Sequence, residues 1–355
     1  MTEMNSMPAC KRAAARPSTP RRMAAILGCA LAGALASLPS QAQSEPPQDL
    51  LDAARQEGQV VWYETSVPDV GAKLKEAFEK RFAGIKLNHV SVTNAEQMTP
   101  RLLQEMRAKT NSADAVQISA EQITTLEKRG ALASVDWTSL GLSKEQAEKP
   151  YAVATSVSTF VLMMNTGQVT ENDRPKTWED LLDQRWKGKI AAWGNPFPFV
   201  QLASVWGDDK VRDYLKRFAA QEPTLFPAPT SAAQAVASGD LPVGIGLYHL
   251  AVHSVNAGAP IALKTLDVAP VSINYSAVLK EAKHPNAGRL LIWWLSTPEG
   301  ATAYEAATNR GNIYVPQTRA AELLKGVKVA AWPFDESATF LKLAPAYQGL
   351  MRAKN

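Results

Sequence analysis

The chain is poor in the residues that most often carry covalent, redox or metal chemistry. Its 355 residues include two cysteines, Cys10 and Cys29, and four histidines, His89, His249, His253 and His284. Both cysteines fall within residues 1–42, which have the layout of a secretory signal peptide. Lys11, Arg12, Arg16, Arg21 and Arg22 make a basic segment. Met23 to Leu38 is almost wholly small and apolar, and Ser40-Gln41-Ala42 offers a small-x-small cleavage site. Cleavage there leaves no thiol, so disulfides, cysteine nucleophiles and thiolate metal sites are excluded from the mature protein. No second apolar span follows, and the expected location is the periplasm. Ile26-Leu27-Gly28-Cys29 loosely resembles a lipoprotein box and Arg21-Arg22 is a twin arginine, but ordinary secretion accounts for both.

An excess of charge is also missing. The formal net charge of +4 belongs to the leader, which holds five of the 38 Lys/Arg and one of the 34 Asp/Glu. The balanced remainder argues against a nucleic-acid partner. Catalytic signatures are absent as well: there is no Gly-x-Ser-x-Gly elbow, no His-Glu-x-x-His and no P-loop. Gly244-Ile-Gly246 ends a strand pattern, but His249 stands where the last glycine of a dinucleotide fingerprint belongs. His249 and His253 are four apart and can share a helical face, a pair that can hold a metal but is more often one packed and one surface residue. No catalytic residue and no cofactor is expected.

What is present is an alternation of strand and helix patterns, the signature of α/β architecture with largely parallel sheets. Gln59 to Tyr63, Ile85 to Val92 and Ala113 to Ile118 read as strands. Leu74, Ala77, Phe78 and Phe82 recur at helical spacing between the first two. Thr99-Pro100 reads as a helix start. Two long extended runs, Tyr151 to Asn165 and Val271 to Leu279, are separated by about one domain's worth of chain. Between them, Pro175 to Pro196 reads as an amphipathic helix capped reciprocally by Thr177 and Asp180. A basic turn and a buried strand then end in a Trp-Gly-Asn-Pro loop. Ser231 to Gln234 reads as a second capping box, and Gly239 stops its helix.

The block PKTWEDLLDQRWKGKIAAWGNP, and later HPNAGRLLIWWLSTPEG, resemble the periplasmic solute-binding proteins of ABC transporters, in the group that includes the ferric-iron binders. The tryptophans of these blocks, Trp178, Trp186, Trp293 and Trp294, are expected in the core rather than at a ligand. The resemblance implies a type II periplasmic binding fold, with two α/β lobes joined by a double-strand hinge and a ligand cleft between them. The expected limits are residues 43–152 and 275–355 for the first lobe and 160–268 for the second, with hinge crossings at 153–159 and 269–274. It further implies a monomer that captures a small-molecule solute by hinge closure and passes it to an ABC permease in the inner membrane.

Such a cleft should present helix N-termini, whose free N–H groups favour anions. Three loops qualify: Glu64-Thr65-Ser66, Trp193-Gly194-Asn195 and Pro229-Thr230-Ser231. Thr65, Ser66, Thr230 and Ser231 offer hydroxyls to a carboxylate or phosphate, although each can simply cap its own helix. Ser119 stands in the position that lines the cleft in this group. Arg101 can neutralise an anion or remain a solvated surface residue. Trp193, Phe197, Phe199, Tyr248 and Tyr275 can wall an organic body. The resemblance also raises ferric iron, held in those relatives mainly by adjacent tyrosines. Here the segment is Tyr248-His249, leaving Glu64, Tyr248 and His249 as an incomplete ligand set. A small, anionic organic solute is therefore the first expectation and iron the second. A secreted hydrolase or transferase on a two-lobed scaffold is the alternative from another class.

Overall fold

The computed structural model describes residues 45–65, 70–92, 95–110 and 113–353. Residues 1–42, the expected signal peptide, and Ser66 lie outside them. The chain opens with α1 (Gln48–Glu57), β1 (Gln59–Glu64), α2 (Val70–Arg81), β2 (Lys86–Ser91), α3 (Ala95–Arg107), β3 (Ala115–Ser119) and α4 (Ala120–Glu127). Strands β2, β1 and β3 lie side by side and parallel. Leu74 and Phe78 of α2, with Phe82 just after it, pack on one face of this sheet, and Met98, Leu102, Ile123 and Leu126 of α3 and α4 on the other.

The long strand β4 (Val153–Asn165) then leaves this sheet for a second one, built on β5 (Ile190–Trp193), β6 (Thr224–Phe226) and β7 (Val243–Leu247), with β8 (Ile261–Lys264) at its side. Strand β9 (Val268–Val278) returns antiparallel to β4. Near its end β9 pairs with β3, at Ser119↔Asn274 through Ala115↔Val278, and near its start with β10 (Lys328–Ala330). Phe160 to Met164 of β4 pair instead with β7. The strand order is thus β2-β1-β3-β9-β4-β7-β5-β6, and two strands carry the chain between two sheets. This is the two-lobed α/β architecture with a double-strand connection.

The second lobe's faces are covered by α5 (Phe197–Trp206) and α6 (Asp208–Ala220) on one side, and by α7 (Pro229–Ser238) and α8 (Tyr248–Asn256) on the other. The chain then passes back through α9 (Pro285–Leu295), α10 (Pro298–Thr308) and α11 (Arg319–Leu324) and ends in α12 (Thr339–Arg352). Here the expected range 275–355 for the first lobe needs correction. Tyr347 and Met351 of α12 are buried in the core formed by α5 and α6, and Tyr347 donates to Asp208 at 2.8 Å. The apolar face of the last helix finds its partner in the second lobe, which chain position alone does not specify.

The phrases that carried the family likeness are structural. Asp114 accepts from the His284 backbone N–H at 2.9 Å and pairs with its Nδ1 at 2.8 Å, while Glu57 accepts the Ala287 N–H at 2.7 Å. Two carboxylates thereby serve the free N–H groups and positive end of α9. Trp178, Trp186, Trp293 and Trp294 are buried.

Three local expectations change. Thr177 and Asp180 do bond reciprocally, at 3.2 and 2.9 Å, but the segment forms short 3-10 turns, Glu179–Leu182 and Gln184–Trp186, rather than an α-helix. Trp178 is pinned by Asp267 and the Val268 carbonyl, which fixes the turn from outside and overrides local propensity. Ser231 caps nothing: α7 starts earlier, with Pro229 as its first residue and Ala228 before it, so Ser231 sits inside the first turn. Helix α3 likewise starts at Ala95, with Pro100 inside it.

Candidate functional site

The last residue of β1 is the fully buried Glu64. An ionised carboxylate at such a place needs partners. Glu64 Oε1 accepts from the Tyr304 hydroxyl at 2.8 Å and from Arg310 Nη1 at 3.4 Å, and Oε2 lies 3.2 Å from His89 Nε2. Tyr304 also meets Gln117 Oε1 at 2.6 Å, joining the ends of β1 and β3. Burial, and then the Glu64 charge, push the Tyr304 phenol well above its ordinary value, so it stays a neutral donor.

Arg310 is the residue that leaves this network for the other lobe. It follows α10, whose end is turned by Asn309 in the left-handed conformation (φ 57°). Its Nη1 donates to the Thr65 carbonyl at 2.7 Å, and its Nη2 lies 3.4 Å from His249 Nε2 in the first turn of α8. One helical turn on, His253 Nε2 lies 3.3 Å from Asn309 Nδ2. The i, i+4 histidines therefore face the first lobe as a pair, each met by a side chain from the end of α10. Arg310 Nε and His249 Nδ1 are buried without a hydrogen-bond partner among the described residues. Orphaned polar atoms at a seam between lobes mark a place where a guest can supply the missing bond.

The His249 imidazole is held well below its ordinary pKa, first by burial and then by the Arg310 and His253 charges. It is neutral in the folded chain. As pH falls below the ordinary histidine value of about 6.5, the unfolded chain takes up a proton that the folded one refuses. Folding stability should therefore drop by at most about 1.4 kcal/mol per pH unit from this group. Thermal unfolding followed from about pH 7.5 to pH 5 should show this loss, and His249→Gln should flatten it. An unchanged acid limb in the variant would assign the loss to other groups.

The remaining expected site residues gather at two other places. Ser119 ends β3 opposite Asn274, and its hydroxyl donates to Glu121 Oε1 at 2.6 Å. Glu121 and Tyr275 line a crevice together with Gln201 of α5 and Trp332. Tyr275 is buried edge-on against Phe334, with ring centroids 4.8 Å apart. Trp193 and Asn195 lie instead in a groove of the second lobe with Leu225, Pro227 and Arg352. The Trp193 ring stacks on Phe197, and Phe197 on Phe160, at 6.1 and 6.2 Å between centroids. Asn195 accepts the Phe197 N–H at 3.1 Å, a turn that opens α5. Phe199 is core. Thr230 is exposed and Ser231 half-buried in α7, and Tyr248, half-buried, begins α8. Arg101 is committed to Glu105 at 2.9 Å and to the Tyr63 ring and hydroxyl.

The structure thus brings Glu64, Thr65 and His249 together, and Ser119 with Tyr275, but not all in one cluster. The iron set of Glu64, Tyr248 and His249 is interrupted by a guanidinium between Glu64 and His249. The residues that sequence reading missed are Arg310, Tyr304, Gln117 and Glu121. None sits in a motif, and the only hint was the turn-forming Thr-Asn-Arg-Gly that ends a helix pattern.

Two α/β lobes, a two-strand connection and a polar seam between strand ends define the class of two-lobed binding proteins. Residues 73–333 match the family model described as bacterial extracellular solute-binding protein, and the chain belongs to that family. An uncharacterized protein of Haemophilus influenzae is 26% identical over 136 residues, 36% of this chain and 38% of that protein, so the match spans well under half of the relative. Among solved structures, iron-bound HitA from Pseudomonas aeruginosa is 19% identical, with TM-score 0.62 over 83% of this chain and 98% of that one. The periplasmic binding protein AfuA from Actinobacillus pleuropneumoniae, with fructose-6-phosphate bound, is 17% identical, with TM-score 0.66 over 84% and 99%. An ABC transporter substrate-binding protein from Bradyrhizobium japonicum is 14% identical, with TM-score 0.68 over 83% and 100%. At these identities the likeness establishes the fold.

Proposed function

We propose that this chain is the periplasmic receptor of an ABC importer, closing its two lobes around a small anionic organic solute and releasing it unaltered to an inner-membrane permease. The hinge crossings are 153–159 and 269–274, and the closing surfaces are the strand ends that meet at Arg310. The observation that carries the reading is Arg310 itself: a guanidinium held at the seam by Glu64 and the Thr65 carbonyl, reaching His249 of the other lobe. A rigid fork of donors with an unfilled Nε suits a carboxylate or phosphate. The N-termini of α2 and α8 add partial positive charge at the same seam.

The same arginine weighs against ferric iron, since a fixed positive charge between two of the three donors repels a trivalent cation. Thr65, Ser66, Ser119, Tyr248 and His249 remain the ligand contacts we favour. Native mass spectrometry of the mature protein, purified without refolding, tests the reading. A co-purifying, dissociable organic anion is the expected result. Retained iron, or a bound molecule that the protein converts to another, would overturn it.

A further inference from the structure

A crevice between α4 and α5 has a carboxylate, Glu121, on its wall. Its walls include Glu121 at the start of α4, Gln201 of α5, Ser272 of β9, and Trp332 and Ser337 of the segment before α12. It therefore touches the first lobe, the second lobe and one of the two connecting strands. The cavity measures about 20 Å³, room for one water-sized group. Glu121 is its only charged wall. Its carboxylate accepts from the Ser119 hydroxyl at 2.6 Å and has no cationic partner among the described residues. Burial holds the Glu121 carboxyl above its ordinary value, the mark of a charge that lacks full compensation. Lys149, which lies over the neighbouring Phe334 ring, is already paired with Asp335 at 2.7 Å.

We infer that this crevice receives a primary ammonium group, the cationic head of the solute whose anionic end is held at Arg310. An ammonium carries three donors in a compact volume. Glu121, Gln201 and the hydroxyls of Ser272 and Ser337 are the acceptors available along the walls, and Trp332 adds an aromatic surface to which a cation is attracted. Because Glu121 and Gln201 belong to different lobes, a group bonded to both binds the closed form more tightly than the open one, the requirement for ligand-driven closure. Glu64 lies opposite Gln117, two residues before Ser119, on neighbouring strands of one sheet, which sets the reach an elongated zwitterion needs to join the two places. The inference rests on the anion-receptor reading for Arg310 but not on the identity of the solute.

The test is calorimetric titration of the full mature chain with ω-amino carboxylates of increasing length, n-alkyl carboxylates of matched length, and n-alkylamines. Wild type should bind the best amino carboxylate about tenfold or more tightly than its matched carboxylate, the worth of one charge-assisted bond. Glu121→Gln should erase that preference while leaving carboxylate binding in place, and its melting curve reports whether it folds. Equal affinity for both acids in wild type, or a preference that survives Glu121→Gln, would overturn the ammonium site while leaving the anion receptor intact. Binding of alkylamines alone, lost in Glu121→Gln, would support the ammonium site and count against the anion reading. Failure of all three probe classes in wild type would count against both.

Discussion

Replacing Arg310 with methionine is expected to abolish retention of an anionic guest and to destabilise the fold by about 3 kcal/mol, the lower end for stripping one partner from a buried ion pair. Glu64 is fully buried and the Arg310 side chain is 16% exposed, so water replaces little of what is lost. The lower end applies because the Nη1–Oε1 separation is 3.4 Å and Tyr304 continues to donate. The guanidinium also spans three groups at once, Glu64, the Thr65 carbonyl and His249. Lysine, a point charge on a flexible stem, should keep part of the stability but not the bridge between lobes. The decisive measurement is a double-mutant cycle by urea unfolding. Arg310→Met combined with Glu64→Gln should recover much of the loss, since no uncompensated charge is then buried. Strict additivity of the two changes would show that the pair is not coupled. Guest retention in Arg310→Met would remove the arginine from the binding mechanism.

The second large effect is at Gly300, in the first turn of α10. Here α10 begins so close under the end of α9 that a Cβ on Gly300 would overlap the Trp294 carbonyl and lie 2.9 Å from the Leu295 nitrogen. The obstacle is backbone, which cannot swing aside as a side chain can. Thr297 closes the turn by accepting the Gly300 N–H at 3.2 Å. Gly300→Ala should therefore cost on the order of 4 kcal/mol or more, the range reserved for severe overpacking, and lower soluble yield. Thr297→Ala at the same turn should cost only about 1 kcal/mol, a lost cap. Comparable melting temperatures for Gly300→Ala and wild type would show that the helices can separate without penalty. The Ser-Thr-Pro-Glu-Gly phrase is thus a packing device of the first lobe, not a ligand contact.

These two positions divide what sequence made legible from what it did not. The Gly300 turn stands out because proline, a cap and glycine each impose a local backbone geometry, and such signals survive in a linear chain. The long extended runs that became β4 and β9 were visible for the same reason. A β-branched stretch without helical period has few alternatives, and two of them a domain apart imply two crossings. The tryptophans of the recurring phrases could be placed in the core because their size leaves little choice. Local signals failed where a distant contact outvoted them. Asp267 and Val268 hold Trp178 in a 3-10 segment where the pattern promised an α-helix. The final helix joined the second lobe because α5 and α6 offered its apolar face a partner.

Composition and local pattern alone pointed to an α/β chain with two long extended crossings, since periodicity and turn chemistry act over a few residues. Only the tertiary structure could select Arg310 and Glu121 as the charged groups facing the seams between lobes. An arginine after a helix and a glutamate at a helix start look alike wherever they occur in a sequence. What separates them from solvated neighbours is desolvation and the partners set around them, and both depend on residues up to 246 positions away.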